Sequence, residues 1–304
     1  MSVLKSRILL VSDMHYTTDL SAGEMSAVCP GAKASAASGN AFGKTQSEKI
    51  QKVYSDICRE HSESALDAVL VLGDLSVDDY DFRCLPENYC KKFKAECMDR
   101  LPCTAYAIPG NHDSYPNEQW CRMFGYERQY TLELGDCVFI MADTFDSGTA
   151  QKNNPAAGSA NTPIDEDFLR EALEKYRGRK IFICAHYIHG ASFSEQSRRL
   201  IAENDDIMIM YRGHTHISSM TEDSRELGEK TLIDIGGYGY CGKLVNGKYE
   251  FNISDYKWAW GYQILEVYDD KIETYHVKTD MNYIATNGTF ITERRSMSKL
   301  SILL

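Results

Sequence analysis

Five short apolar runs in this chain end in side chains that packing alone does not call for. ILLVSDMH leads into Asp13 and His15, AVLVLGD into Asp74, and AYAIPGNHD into Asn111, His112 and Asp113. IFICAH leads into His186, and IMIMYRGHTH into His214 and His216. A short apolar run bounded by turn residues reads as a buried strand. In an open α/β sheet the C-terminal strand ends face one crevice, where ligands bind. The fold must therefore be one that gathers these ends, and residues far apart in sequence meet there.

The rest of the chain fits such a sheet. Residues 3–11, 68–72, 105–108, 138–142, 181–184 and 207–211 read as strands. Between them lie helical patterns: residues 48–60, with Ile50, Val53, Tyr54 and Ile57 on one face, and a segment after Pro86 through KKFKAE. A third covers residues 165–177, opened by Pro163 and three acids that suit a helix's positive end. After residue 216 the pattern is mostly strands, at 231–235, 262–268 and 272–277, which implies antiparallel pairing late in the chain. The expectation is an α/β sandwich over residues 1–280, with 281–304 as a C-terminal arm or tail. Two irregular stretches interrupt it, residues 17–43 and 148–161. The first leaves the strand end directly after Asp13 and His15, and its Gly, Ala and Ser content suits a cover over a ligand. If that stretch takes no part, the pocket wall falls to Tyr80, Tyr187, His189 and residues 238–240.

Charge and cysteine content limit the partners. With 33 basic and 44 acidic residues the net charge is −11, a field that repels nucleic-acid phosphates but not a small phosphorylated ligand held by cations. The ten cysteines include no CxxC pair, and several, such as Cys137 and Cys184, lie inside apolar runs where a thiol packs as a small hydrophobe. No export signal and no membrane-length apolar run accompany them. The expectation is a cytoplasmic protein with free thiols and no membrane partner.

The polar ends themselves form a metal-ligating set. Carboxylates, imidazoles and an amide oxygen suit borderline divalent ions such as Zn, Mn or Fe(II). In Asp13-Met14-His15 and His214-Thr215-His216, an extended chain would put both polar residues on one face. Glycines precede Asp74, Asn111 and His214, where backbone must come close to the site. Five of the eight histidines fall in these motifs, whereas His61 and His276 read as surface or structural residues.

The series D-x-H, GD, GNHD, H and GHTH, spanning residues 13–216, resembles the calcineurin-like metallophosphoesterase superfamily, in its phosphodiesterase-like bacterial branch. That resemblance implies a four-layer α/β/β/α sandwich of the metallophosphoesterase type. It implies one ion held by Asp13, His15, Asp74 and His216 and another by Asp74, Asn111, His186 and His214, with Asp74 bridging. It implies hydrolysis of a small-molecule phosphomonoester or phosphodiester by a hydroxide bridging the two ions, with His112 as general acid oriented by Asp113. The segment GDLSVDDYD lacks the arginine of protein phosphatases, and Val77 stands where purple acid phosphatases carry a tyrosine ligand. Many relatives have paired histidines where this chain has His186-Tyr187; Tyr187 and His189 are candidates for substrate contact. A nuclease of the same fold is disfavoured by the charge and by the lack of a basic aromatic stripe. A silent scaffold is disfavoured because no expected ligand is missing.

Overall fold

The computed structural model describes residues 2–20, 24, 45–77, 87–145, 160–190, 193–221, 226–239, 243–245, 248–250, 260–279 and 299–304. In chain order the first half runs β1 (Leu4–Val11), α1 (Gln46–Glu63), β2 (Ala68–Leu72), α2 (Tyr89–Glu96), β3 (Thr104–Ile108), α3 (Asn117–Phe124), β4 (Tyr130–Leu134) and β5 (Cys137–Ala142). The second half runs α4 (Glu166–Lys175), β6 (Lys180–Ala185), α5 (Glu195–Ala202), β7 (Ile207–Arg212), β8 (Ser218–Thr221), β9 (Leu232–Ile235), β10 (Lys243–Val245), β11 (Lys248–Glu250), β12 (Gly261–Tyr268), β13 (Lys271–Lys278) and β14 (Leu300–Leu303).

Two six-stranded sheets carry the molecule. The first has the order β14-β13-β12-β1-β2-β3 and the second β4-β5-β6-β7-β9-β8. β1, β2 and β3 pair in parallel, as do β5, β6, β7 and β9, so the motif-bearing ends point the same way within each sheet. The late strands β12 and β13 add to β1 antiparallel; the pattern after residue 216 implies antiparallel pairing there but not its partner.

Strand alternation explains the layering. In β1, Leu9 and Val11 pack with Ile50, Val53 and Ile57 of α1, Phe93 of α2 and Trp120 of α3. Ile8 and Leu10 turn the other way, into a core shared with Phe139, Phe182 and Ile209 of the second sheet. The outer face of that second sheet, with Ile140, Ile183 and Met210, is covered by Leu169 and Leu173 of α4 and Ile201 of α5. A strand apolar on both faces is one buried on both sides, and the result is helix, sheet, sheet, helix.

Local signals set the helix starts. Thr45 caps α1 in a capping box with Glu48, and the side chain of Asp165 caps α4 by accepting from the N–H of Phe168. α3 and α5 escape the sequence reading, being short helices held by the tertiary packing of Trp120 and Ile201. β4 escapes it too, its alternating face being only half-buried. The expected C-terminal arm ends in β14, an edge strand on β13. Most of the irregular stretch 17–43, nearly all of 148–161, and Tyr80 and Tyr240 lie outside the described residues. Among the described residues no helix is long and apolar enough to cross a membrane. The described cysteines Cys58, Cys90, Cys97, Cys103, Cys121, Cys137 and Cys184 are free, and burial pushes the Cys184 thiol well up, so it stays a packing group.

Candidate metal centre

All five motifs leave strands at their C-terminal ends, β1, β2 and β3 from one sheet and β6 and β7 from the other. The backbone there is not extended. Asp13, His15, Asp74, His214 and His216 have φ of 55°, 44°, 52°, 66° and 55°, and Glu229 is the other described non-glycine residue with positive φ. This corrects the expectation of an extended D-x-H: left-handed residues, not pleating, bring Asp13 and His15 to one side, while Met14 goes into the helix-side core. Left-handed backbone is unfavourable for residues with a Cβ and persists where surrounding structure enforces it. Gly110 shows why the turns are tight. A Cβ there would meet Asp74 Oδ1 at 2.1 Å, so no larger residue fits.

The side chains converge in two groups that share Asp74. Asp13, His15, Asp74 and His216 form one, and Asp74, His186 and His214 the other; within each, the ligand atoms lie within 4.8 Å of one another. In the first, His15 Nε2 is 3.1 Å from His216 Nε2 and 3.4 Å from Asp74 Oδ2, and His216 Nε2 is 3.0 Å from Asp13 Oδ1. In the second, His186 Nε2 is 3.3 Å from Asp74 Oδ2. Asn111 belongs there as well, its Oδ1 lying 3.2 Å from His186 Nε2 and 2.9 Å from His214 Nδ1.

This donor set fits divalent cations. His186 Nδ1 lies 2.7 Å from the carbonyl of Leu72, which requires a proton on Nδ1 and turns the Nε2 lone pair toward the oxygens of Asn111 and Asp74. Acceptors facing one another repel unless a cation sits among them. Without a metal ion a proton fills that role: burial alone would lower His186, but the charges of Asp74 and Asp13 raise it to about 9. Burial would likewise raise Asp13, yet His216, His15 and His186 hold it well below the usual carboxylate range. Asp74 is held low in the same way, by His186 and His112. Burial pushes His15 down to about 4, and burial with the charge of His186 pushes His214 down to about 3, so both rings keep lone pairs for a metal.

The groups around the ligands are in part unexpected. The main-chain N–H of His112 donates to Asp74 Oδ1 at 2.9 Å, and its ring packs edge-on to His15, 5.2 Å between centroids. Asp113, expected to orient that ring, turns its carboxylate to backbone amides. Its carboxylate accepts from the N–H groups of Leu75, Ser76 and Gly110 at 3.0–3.1 Å and from the Ser76 hydroxyl at 3.3 Å, tying the GD turn to the GNHD turn. Its value as an Asp is in caging those amides, a role that sequence order does not reveal. Tyr187 packs on His214, with 4.7 Å between centroids, and lies nearly parallel to His189; both are half-buried beside the second group. Tyr238, expected at a pocket wall, is buried instead, with its hydroxyl on Asp56.

Further side chains brace the centre without any sequence motif. Arg128 forms a two-bond pair with Asp143 at 2.6 and 3.2 Å and also donates to the carbonyls of Asp113, Tyr115 and Phe145. Arg212 pairs with Asp234, which also accepts from Thr215 at 2.9 Å and Ser219 at 2.8 Å, holding the GHTH turn. Lys49, pushed down to about 7 by burial, donates to the carbonyl of His15, as an amine can in either protonation state. The one available signal is a charged residue beside the apolar positions of a helix, as with Lys49 next to Ile50 and Val53 in α1.

Sheets stacked in this order, with a histidine–carboxylate crevice at their strand ends, define a metal-dependent phosphoesterase. The chain belongs to the calcineurin-like phosphoesterase family, whose model matches residues 6–218. Among solved structures, a dimetal phosphatase from Danio rerio shares the fold with a TM-score of 0.63 at 11% identity, covering 99% of each chain. Vacuolar Protein Sorting 29 from Cryptosporidium parvum matches with a TM-score of 0.40 at 11% identity, over 99% of this chain and 100% of that one. An uncharacterised protein from Streptococcus pneumoniae matches with 0.39 at 13% identity, over 98% of each chain. No curated protein sequence matches the chain.

Proposed function

We propose that the protein hydrolyses a small-molecule phosphomonoester or phosphodiester with two divalent transition-metal ions, Mn, Fe or Zn. Asp13, His15, Asp74 and His216 hold one, and Asp74, Asn111, His186 and His214 hold the other. The carrying observation is Asp74, whose Oδ2 lies within 3.4 Å of both His15 and His186 and so belongs to both groups. Divalent ions bound there supply charge neutralisation for phosphoryl oxygens and lower the pKa of coordinated water. The chain supplies the rest. His112, anchored by its main-chain N–H on Asp74 and set against His15, donates a proton to the leaving oxygen. Tyr187 and His189, half-buried beside His214, contact the part of the substrate beyond the phosphate. The net charge of −11 disfavours nucleic acid as substrate, and free thiols in apolar strands accord with a reducing cytoplasm.

The test is metal analysis joined to turnover. After saturation with Mn or Zn the protein should retain close to two ions, and chelation should abolish hydrolysis of both bis(p-nitrophenyl) phosphate and p-nitrophenyl phosphate. Asp74→Asn should weaken both ions at once. A wild-type protein that retains no metal would refute the proposal, and the ratio of the two rates assigns ester preference.

A further inference from the structure

Helix α1 buries four polar side chains in one stripe. Gln46, Lys49, Asp56 and Glu60 are each 2% exposed or less. Steps of three, seven and four residues stack them above one another on a 3.6-residue turn. Charged groups are seldom fully buried without a partner, because leaving water is costly. The partners show what this stripe faces. Gln46 Oε1 accepts from the N–H of Thr17 at 3.4 Å, and Lys49 Nζ donates to the carbonyl of His15 at 2.9 Å. Asp56 Oδ2 accepts from the Tyr238 hydroxyl at 2.9 Å, and the main-chain N–H of Tyr238 donates to the carbonyl of Asp13 at 3.3 Å. Glu60, farther along, accepts from Tyr262 at 2.6 Å and Arg7 at 2.7 Å.

The main-chain carbonyls on either side of Met14 are thus both fixed by α1, one directly and one through Tyr238. Asp56 is itself locked by Lys52 at 2.6 Å, Arg59 at 2.7 Å and the Thr279 hydroxyl, so the Tyr238 arm has a rigid base. The backbone held this way is the left-handed pair Asp13 and His15, a conformation that needs enforcement.

We infer that Lys49 and the Asp56–Tyr238 pair are positioning residues for the Asp13–His15 half of the metal centre. They hold this segment in the conformation that aims both side chains at the ion, and they act on metal affinity. The histidines of the other group, His186 and His214, leave the second sheet, on the far side of the first from α1. The inference rests on the two-ion reading above.

Calorimetric titration of the full metal-free chain with Mn(II) tests it, on wild type, Lys49→Met, Tyr238→Phe and the control Ile57→Val, which trims the apolar face of α1 beside the stripe. Wild type should show two binding steps. Lys49→Met and Tyr238→Phe should each weaken one step about 10–100-fold, the usual scale for groups that orient a ligand, and leave the other largely unchanged. Ile57→Val should lower the melting temperature and move neither step. Tyr238→Phe removes a single hydroxyl and decides the matter if Lys49→Met fails to fold. Unchanged affinities in Tyr238→Phe, or equal weakening of both steps, would overturn the inference and leave the two-ion reading standing. Absence of both steps in wild type would instead remove the reading on which it rests.

Discussion

Asp74 ties His112 to the centre: Oδ1 takes the His112 N–H at 2.9 Å while Oδ2 faces His15 and His186. The ring of His112 thus sits beside a backbone bond to Asp74 and against the face of His15, while the carboxylate of Asp113 is engaged by backbone amides. A general acid held this way matters in proportion to how badly the leaving group needs a proton. His112→Ala should reduce turnover of alkyl phosphoesters by about a hundredfold or more. It should reduce turnover of p-nitrophenyl esters far less, since nitrophenolate departs unprotonated. Steady-state rates on the two ester types check this, and equal losses would assign His112 to metal or substrate binding. Asp113→Asn should act differently: it weakens the cage of Leu75, Ser76 and Gly110 amides and should slow both substrates alike. The residues of the two clusters were legible in sequence because each is polar where a packing residue would otherwise stand. The role of Asp113 was not, because it depends on which amides converge on the carboxylate in space.

Strand ends need ties to keep five loops in register, and Arg128 is the clearest tie between elements. It stands just before β4 but bonds to the loop after β3, through the carbonyls of Asp113 and Tyr115, and to the loop after β5, through Asp143 and the carbonyl of Phe145. Phe145 in turn lies 5.5 Å from His186 and 6.0 Å from His214, ring to ring. Arg128 is 3% exposed, so removing it strands Asp143 in a site where burial already disfavours the carboxylate. Breaking such a pair costs about 3–5 kcal/mol, more than replacing both partners. Arg128→Met should lower the urea midpoint by a corresponding amount, and adding Asp143→Leu should recover part of the loss. A loss under about 1 kcal/mol, the scale of an exposed pair, would show that the clamp is not what holds these loops. At this scale the strands were legible almost to the residue, as with Ala68–Leu72, because an uninterrupted apolar run has one reading in a doubly covered sheet. α3 and α5 were not, being short helices held by tertiary packing of Trp120 and Ile201 rather than by a long periodic face.

Across the whole molecule, alternating apolar strands and amphipathic helices imply no more than an α/β sandwich, and the four layers with their two sheets were implied only by the family resemblance. Nothing in β4 or β8 marks them as opposite edges of a second sheet, and the antiparallel return of β12 beside β1 is a long-range pairing that local pattern does not encode. That return carries a consequence for pH. β13, paired with β12, places His276 fully inside the fold, where burial lowers it from 6.5 to about 4; the nearby charge of Lys278 acts in the same direction, and the main chain of Trp260 and Ile235 opposes it without prevailing. In the unfolded chain the same ring takes up a proton near pH 6.5. Between these values the unfolded state binds more protons, so stability falls as pH falls. The contribution is intact above about pH 6.5 and is lost progressively toward pH 4, on the order of 3 kcal/mol in all. His15 and His214 shift in the same direction, so wild-type behaviour alone mixes three rings. His276→Gln isolates one of them, because the site histidines are common to both proteins and cancel in the difference. Urea midpoints measured from pH 7 to pH 4.5, at one fixed metal concentration, should fall more steeply for wild type than for His276→Gln. Parallel lines would mean that His276 either titrates normally in the folded state or stays neutral in both.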